Sequence, residues 1–396
     1  MKLAERVNYI TEPQTIAMAK LSRELIAQGH DVISLSLGEP DFFTPQHVKD
    51  AAKQAIEDNF SFYTPVAGTL ELREAVVAKL KRENNLTYTP DQILISTGAK
   101  QCIMNTLMAL VNKGDEVIIP TPYWVSYSDM TKLIEGVPVF INTTVEQQYK
   151  ITAAQLEAVI STRSKVFLFS SPCNPTGSIY TKQELESLVA VFEKHPDIYI
   201  ISDEIYEFIN FIGKHESIAQ FESIKDRVIT INGLSKAYAM TGWRLGYLAA
   251  HPTITKACEK IQSQYTSGTS SISQKAAVAA LNGTMEPSKA MIAAFKQRQG
   301  IILNAVKDMP HWKCNNPVGA FYIFPDISYY FGKSHNGTTI HTATDFCMYM
   351  LHNAHVSMVT GEAFGAPNCI RISYAIEDSK IIEAMRRVKL ALEKLV

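Results

Sequence analysis

The chain has 396 residues, of which 46% are hydrophobic and 19% are charged, a composition typical of a folded globular protein and not of a disordered or fibrous one. Its 38 lysines and arginines nearly balance its 39 aspartates and glutamates, so the formal net charge of -1 provides no bulk field to attract nucleic acid or an anionic membrane. This length exceeds what one hydrophobic core usually serves, and we expect a large domain with a smaller one.

The beginning of the chain carries charges every few residues and lacks the apolar core of a signal peptide, and no apolar run is long enough to span a bilayer. We therefore expect a cytoplasmic protein whose partner is a small molecule. The six cysteines are scattered without the close pairs that zinc sites or redox motifs need, so we predict no metal site.

Short runs rich in β-branched residues alternate with longer helical patterns through the middle of the chain, which is typical of a parallel sheet covered by helices. Seven strands are predicted, at residues 92–96, 116–120, 138–142, 165–170, 198–202, 227–232 and 245–249. Among the helices, the one at 68–84 has Leu72, Val76 and Leu80 as a buried stripe on an otherwise charged surface. Another begins with a capping box formed by Thr181 and Glu184.

From about residue 289 the pattern changes to a long helix, an apolar run, and then helix, strand and terminal helix, which indicates an α+β lobe. The first forty or so residues cannot complete a domain alone. We therefore predict an N-terminal segment at 1–45 that packs on the small domain, a large domain at 46–288 that holds the site, and a small C-terminal domain at 289–396.

Ligands of α/β sheets bind beyond the carboxyl ends of the strands, so the residues that follow each strand are candidates for chemistry. Lys236 follows the strand at 227–232. A lone loop lysine is ordinarily a solvated surface cation. Arg244, eight positions later, could return a fixed cation to the same pocket, which suits a phosphate and favours the neutral amine of a nearby lysine. A neutral amine is the nucleophile that a Schiff base needs.

Two polar side chains follow the strand at 198–202. Asp203 at a buried strand end is costly unless it meets a cation, such as the protonated nitrogen of a pyridine ring; the alternative is a helix N-cap. Tyr206 could place its phenol beside the 3-oxygen of such a ring, and the alternative is a half-buried aromatic residue.

Two further loops complete the candidate site. The strand at 165–170 is followed by Ser-Pro-Cys-Asn-Pro-Thr-Gly, a rigid turn that presents the Asn174 amide, although such a sequence often forms only a turn. Its neighbours explain Cys173 better than a thiol nucleophile would. The strand at 92–96 leads into a helix whose first N–H groups, at Gly98, Ala99 and Lys100, would form an anion site.

In order and spacing these motifs closely resemble the fold-type-I pyridoxal-phosphate enzymes, specifically the class I aminotransferases and their bacterial aspartate aminotransferase subgroup. The resemblance covers nearly the whole chain, from SLSLGEPDF at 34–42 to CIRISYA at 369–375. It implies an α/β fold with a mostly parallel seven-stranded sheet between helices and a smaller α+β domain. It also implies pyridoxal 5′-phosphate (PLP) as the cofactor, a homodimer with shared active sites, and L-aspartate and 2-oxoglutarate as substrates.

The resemblance assigns the catalytic roles residue by residue. Lys236 would be the Schiff-base lysine and, once freed, the general base that moves the substrate's α-proton. Asp203 would pair with the pyridine nitrogen, and Tyr206 and Asn174 would donate to the 3-oxygen.

It assigns the phosphate to Ser235 and Arg244, together with the amides of Ala99 and Lys100. Tyr63 resembles the tyrosine that crosses the dimer interface to the neighbouring subunit's phosphate.

For the substrate, Arg371 resembles the arginine that binds the α-carboxylate as a planar fork, and Gly38 lies where the family makes a backbone contact to that carboxylate. Trp124 resembles the aromatic plate stacked on the cofactor ring; the alternative is a core tryptophan. By the same resemblance, Lys100 would bind the side-chain carboxylate of aspartate and glutamate. Some members of the subgroup accept prephenate, for which Lys20 is a candidate contact.

Other functions remain open. An aminotransferase with another donor or acceptor is one, and a lyase or decarboxylase of the same fold is another, although Arg371 in Arg-Ile-Ser-Tyr favours retention of the α-carboxylate. A nucleotide-dependent oxidoreductase would need Gly-X-Gly-X-X-Gly after a first strand, which is missing. A cofactor-binding regulator would need a DNA-binding segment, and neither end has one. One departure from the family is Thr360, which stands where a proline is usual and is expected to loosen that turn.

Overall fold

The computed structural model describes residues 3–10 and 14–396, apart from the side chains of residues 15 and 16. Within the described residues the α-helices are α1 (Gln14–Ala27), α2 (Gln46–Glu57), α3 (Leu70–Asn84), α4 (Ala99–Leu110), α5 (Ser126–Leu133), α6 (Ala153–Val159), α7 (Lys182–Phe192), α8 (Pro252–Ser263), α9 (Ser271–Asn282), α10 (Glu286–Lys307), α11 (Ala343–Asn353) and α12 (Asp378–Leu392). The strands are β1 (Ile33–Ser34), β2 (Ile93–Ser96), β3 (Glu116–Pro120), β4 (Val137–Ile141), β5 (Ser164–Ser170), β6 (Tyr199–Asp203), β7 (Val228–Gly233), β8 (Gly246–Ala249), β9 (Tyr322–Ile323), β10 (Ser334–His335), β11 (Thr338–Thr339), β12 (Val356–Ser357), β13 (Val359–Thr360) and β14 (Ile370–Ser373).

A seven-stranded sheet forms the centre of the molecule, in the order β2-β8-β7-β6-β5-β3-β4. All neighbouring strands are parallel except β8, which runs antiparallel to both β2 and β7. Each of the seven predicted strands is present, with ends within one residue of the prediction. The predicted fold class, a mostly parallel sheet between helices with a smaller α+β part, is confirmed.

Both faces of this sheet are apolar, which explains why its strands are nearly continuous hydrophobic runs. Phe167 packs with residues of α3, α7 and α9 on one face, and the next residue, Leu168, packs with residues of α4 and α8 on the other. Ile93 and Leu94 divide between the two faces in the same way, because successive side chains of a strand point to opposite sides. Helices therefore cover the sheet on both sides.

A separate hydrophobic cluster lies in the C-terminal part of the chain and combines α10, α11 and α12 with an antiparallel sheet in the order β13-β14-β9. The N-terminal segment contributes Ile33 and Leu35 to this cluster, and β1 pairs in parallel with β12. Residues 33–35 therefore contact the C-terminal cluster. The domain boundaries at 45 and 288 stay a prediction.

The strand directions bring several loops to one edge of the sheet. The loops after β2, β3, β5, β6 and β7 meet there, because these strands are mutually parallel. Since β8 is antiparallel, the residues that precede it reach the same edge. In the described part of the chain, no helix has both the length and the apolar character needed to cross a membrane.

Candidate active site

A cavity of about 280 Å³ lies at this edge of the sheet. Its lining brings together eleven of the predicted site residues, namely Gly38, Ala99, Lys100, Trp124, Asn174, Asp203, Tyr206, Ser235, Lys236, Arg244 and Arg371. Tyr63 does not line the cavity, and its side chain is 98% exposed. The Gly98 amide, also predicted to bind an anion, is not available for this, because it donates to the Ser96 carbonyl oxygen at 2.8 Å.

Lys236 lies in the cavity and donates a hydrogen bond from Nζ to the Gly38 carbonyl oxygen at 2.5 Å. Burial lowers the pKa of its amine to about 8, and the charges of Arg371 and Arg244 act in the same direction while Glu39 opposes them. A solvated surface lysine, the alternative interpretation, would keep a pKa near its ordinary value of 10.5. The site therefore increases the fraction of the amine that is neutral and nucleophilic.

Asp203 ends β6 and is only 5% exposed. Its Oδ2 accepts a hydrogen bond from the Tyr127 hydroxyl at 2.7 Å, and its Oδ1 accepts one from the Ile205 amide at 3.2 Å. Burial raises the pKa of this carboxyl to about 6, although both hydrogen bonds act against the rise. No α-helix begins at Asp203, which argues against the N-cap alternative. A cation bound in the cavity would stabilise its charged form.

The Tyr206 side chain is buried, and its hydroxyl lies 2.7 Å from the Tyr322 hydroxyl. Burial raises the pKa of Tyr206 well above its ordinary value, and the neighbouring Tyr322 adds to the shift. The Lys236 amine lies 5.7 Å from the centre of the Tyr206 ring. The phenol thus enters the cavity as a protonated hydrogen-bond donor close to the amine, which a half-buried packing residue would not explain.

Arg371 stands on β14 with its guanidinium fixed from several sides. Its Nη1 donates to Asn174 Oδ1 at 3.1 Å and its Nη2 donates to the Ser36 carbonyl oxygen at 2.6 Å. The Tyr322 and Phe364 rings lie 4.6 and 5.0 Å from its central carbon. Burial lowers the pKa of the guanidinium without neutralising it, and its Nε has no hydrogen-bond partner. A buried, rigid cation with an unused donor suits a carboxylate ligand.

The beginning of α4 lies beside Arg244, and together they have the donors that an anion cradle needs. The first N–H groups of a helix have no partners within it, and here they belong to Ala99 and Lys100. Gly98 has a φ of +86°, and a Cβ at this position would lie 2.6 Å from Arg244 Nη2. A Cβ at Gly246 would lie 2.4 Å from the Ala99 amide nitrogen. Gly98 therefore allows the Arg244 guanidinium to approach the helix start closely, and Gly246 allows the beginning of β8 to do so.

Trp124 lies in the loop that follows β3, and its ring is half-buried. It meets the Tyr127 ring edge-on at 5.6 Å, and the Lys100 ammonium lies 4.9 Å from its centre. The ring lines the cavity as well as packing with its neighbours, so a purely structural core tryptophan does not account for its position. Lys100 also lines an adjoining cleft of about 350 Å³.

The sequence matches the family model described as aminotransferase class I and II over residues 30–388. The chain belongs to this aminotransferase family.

Known aminotransferases are similar to this chain in sequence and structure over nearly their whole length. The aminotransferase is 43% identical to an aspartate/prephenate aminotransferase of Nitrosomonas europaea, over 98% of this chain and 99% of the relative. The crystal structure of the aspartate aminotransferase from Rhizobium meliloti superimposes with a TM-score of 0.96 at 41% identity, covering 100% of both chains. The aspartate aminotransferase from Thermus thermophilus with maleate gives a TM-score of 0.92 at 35% identity, covering 99% of this chain and 100% of that one.

Several cavity residues of the aminotransferase were not predicted from sequence, notably Tyr127 and Tyr322. Tyr127 lies in the first turn of α5 and follows Trp124 by three positions, and its amide donates to the Trp124 carbonyl oxygen at 2.9 Å. Tyr322 belongs to the aromatic run that begins β9 and looks like an ordinary buried strand residue. Ser170 and Thr241 also line the cavity.

Three remaining sequence expectations meet different outcomes. Lys20 is exposed on α1 and does not line the cavity. Thr360 caps its turn with its Oγ1, which accepts a hydrogen bond from the Glu362 amide at 3.4 Å, and the expected loosening stays a prediction. Burial raises the pKa of the Cys173 thiol, which argues against a thiolate nucleophile.

Proposed function

We propose that this aminotransferase binds PLP and transfers the amino group of L-aspartate to 2-oxoglutarate, giving oxaloacetate and L-glutamate. The observation that carries the proposal is the presence, in one cavity, of a lysine amine with a pKa of about 8 and a buried carboxylate that lacks a fixed cation, Lys236 and Asp203. A pyridine aldehyde satisfies both groups at once.

The residues present fit PLP, group by group. Lys236 would hold its aldehyde carbon covalently, and Asp203 would pair with its ring nitrogen. The cradle formed by the start of α4 and Arg244 would hold its phosphate, with Ser235 beside it. The chemistry supplied by bound PLP is an electron sink for the charge that develops on the substrate's α-carbon.

The proton steps fall to Lys236. Its lowered pKa gives the free amine a substantial neutral fraction near neutral pH, which suits a general base that removes the α-proton and returns it elsewhere. Tyr206 and Asn174 would donate hydrogen bonds to the ring's 3-oxygen. Tyr206 is available for this as a protonated phenol, because its pKa lies far above neutral pH.

Substrate orientation is assigned to Arg371 and Gly38. The Arg371 guanidinium would bind the α-carboxylate, with its unpartnered Nε as one donor, and the Gly38 backbone lies within the same cavity. Trp124 would cover one face of the ring. Retention of the α-carboxylate by a rigid arginine supports transamination over decarboxylation.

The choice of aspartate rests on Lys100 and on the relatives. The Lys100 ammonium lies at the junction of the cavity and the adjoining cleft, where it could bind the distal carboxylate. The relatives named above are aspartate aminotransferases, one of them described with maleate, a dicarboxylate. Prephenate is a second candidate acceptor, favoured by the name of the Nitrosomonas europaea relative.

A homodimer completes the proposal. Phe62 and Tyr63 are 85% and 98% exposed in the single chain, and nearby Phe60 is held by a hydrogen bond from Ser271 Oγ to its carbonyl oxygen at 2.6 Å. Adjacent exposed aromatic residues on a fixed segment suit an interface. Tyr63 would then reach the partner subunit's phosphate. The cytoplasmic location stays a prediction.

An absorbance spectrum of the purified protein with PLP tests the function. We expect a band in the visible that is lost when aspartate alone is added and is restored by 2-oxoglutarate. Keto-acid formation without release of carbon dioxide would separate transamination from the lyase and decarboxylase alternatives. A protein that develops no visible band with PLP would refute the proposal.

A further inference from the structure

The turn that follows β6 presents different residues to its two sides. The Glu207 amide donates to the Glu204 carbonyl oxygen at 2.9 Å, which closes the turn. Asp203 and Tyr206, three positions apart, line the cavity, whereas Glu204 and Glu207, also three positions apart, are buried away from it. Residues with this spacing share one side of a helical turn. The turn therefore has a cavity side and an anchored side.

Glu207 is anchored by α3. Lys79 Nζ donates to Glu207 Oε1 and also to Asn84 Oδ1 at 2.9 Å, while Asn84 Nδ2 donates to Glu207 Oε2 at 2.9 Å. Lys79 is only 1% exposed. Burial alone would raise the pKa of Glu207, but the Lys79 charge and these hydrogen bonds outweigh it and hold the pKa below its ordinary value. Both carboxylate oxygens are thus fixed.

Glu204 is anchored by a residue of β6 and by the loop that leads to β7. Its Oε1 accepts hydrogen bonds from Ser202 at 2.9 Å and Ser217 at 2.6 Å, and its Oε2 lies 2.9 Å from His215 Nε2. Burial opposes protonation of His215, but the neighbouring Glu204 carboxylate outweighs it and raises the pKa of the imidazole. A buried carboxylate and a buried imidazole therefore lie in close contact at the other end of the turn, although the ring nitrogens of His215 make no hydrogen bond there.

Such an arrangement needs a reason, because desolvating four ionisable groups is costly and well-packed apolar residues are often equally stabilising. What an ion-pair network provides that apolar contacts do not is a fixed direction for each bond. We propose that Lys79, Asn84 and His215 are positioning residues, which hold this turn and with it the two side chains that face the cavity. The proposal rests on the proposed function, since those two side chains are the ones assigned to the PLP ring.

The same cluster has the composition of a metal site, because ligand atoms of Glu204, Glu207 and His215 lie within 4.8 Å of one another. The Lys79 ammonium already donates to Glu207 and supplies a cation at this point. A divalent ion beside it would be repelled. The balance of two carboxylates by a lysine and a histidine therefore favours the ion-pair network.

The test compares Lys79→Met and Asn84→Ala with the matched control Arg163→Met. Arg163 Nη2 lies 2.8 Å from Glu116 Oε1, and Glu116 is a buried carboxylate at the start of β3, at the opposite edge of the sheet from the cavity. The control thus removes the cation from a buried carboxylate far from the turn. For each protein, equilibrium dialysis measures PLP half-saturation, and the visible band of the PLP-loaded protein is followed as a function of pH.

For Lys79→Met we expect the PLP concentration at half-saturation to rise about tenfold. The pH midpoint of the visible band should rise by about half a unit. Residues that orient the contacting side chains of a site typically change its affinity and pKa by amounts of this size. Asn84→Ala should change both quantities in the same direction by about a third as much. Arg163→Met should leave both quantities at the wild-type values, because the Arg163 side chain is 67% exposed and far from the turn. If Lys79→Met does not fold, Asn84→Ala decides.

The inference would be overturned if the folded Lys79 and Asn84 variants kept the wild-type PLP half-saturation and the wild-type pH midpoint of the visible band, and only their melting temperature fell. It would also be overturned by one equivalent of a divalent metal per chain in elemental analysis of the wild-type protein that is lost in His215→Ala, because His215 would then be a metal ligand. A wild-type protein without a visible band would instead refute the proposed function itself, so the two failures are distinguishable.

Discussion

The reaction of the apo protein with PLP should depend on pH in a way that reports the state of Lys236. With a pKa of about 8, about a quarter of the amine is neutral at pH 7.5, whereas an amine at the ordinary 10.5 would be about 0.1% neutral. The environment of the site therefore raises the reactive fraction about two hundredfold at this pH. Burial and the two nearby arginines set this midpoint, so the neutral fraction should reach one half at about pH 8 and level off above about pH 9.

The assay is the growth of visible absorbance after rapid mixing of apo protein with PLP, measured as a rate across a pH series. Reaction of PLP with an Nα-acetyl-lysine solution over the same series corrects for ionisation of PLP itself. Lys236→Ala supplies the baseline. Glu39→Gln should move the midpoint below that of the wild type, since the Glu39 carboxylate raises the pKa of the amine and the amide has no charge.

A corrected midpoint near 10 in the wild-type protein would refute the reasoning, because the amine would then be no more acidic than a solvated lysine. An upward shift in Glu39→Gln would refute the assigned sign of the electrostatic effect.

Three further predictions concern turnover. Lys236→Ala should lose transamination even where PLP still binds, and retained turnover in a single-turnover assay would contradict both the covalent and the general-base roles. Arg371→Lys should lower kcat/KM for aspartate about 30- to 1000-fold, which corresponds to a loss of about 2 to 4 kcal/mol of transition-state stabilisation, because lysine lacks the planar fork that Asn174 and Ser36 hold. A change below threefold in steady-state kinetics would contradict this role of Arg371. Lys100→Ala should lower the ratio of aspartate to alanine activity, and an unchanged ratio would eliminate this lysine as the distal-carboxylate contact.

Local sequence determined much of the fold. The seven strands were predicted to within one residue, because a strand buried on both faces is a continuous apolar run bounded by loop residues. The Thr181 and Glu184 capping box is confirmed, with Glu184 Oε2 accepting from the Thr181 amide at 2.8 Å, because its partners lie three positions apart. Most of the candidate site followed from the same information, since its residues come directly after strands whose carboxyl ends share an edge.

Contacts between distant parts of the chain were decided only by the tertiary structure. Periodicity reports which residues are buried but gives neither strand order nor direction, so the antiparallel β8 was not predicted. The Tyr127 hydrogen bond to Asp203 joins residues 76 positions apart, and the Tyr206 and Tyr322 hydroxyls are 116 positions apart. Lys79 belongs to the part of its helix that was expected to be solvated, yet it is buried. Its partner Glu207 is 128 positions away along the chain and meets it only in the folded protein. A charge can be buried only where its partner arrives, and that meeting is a property of the folded chain.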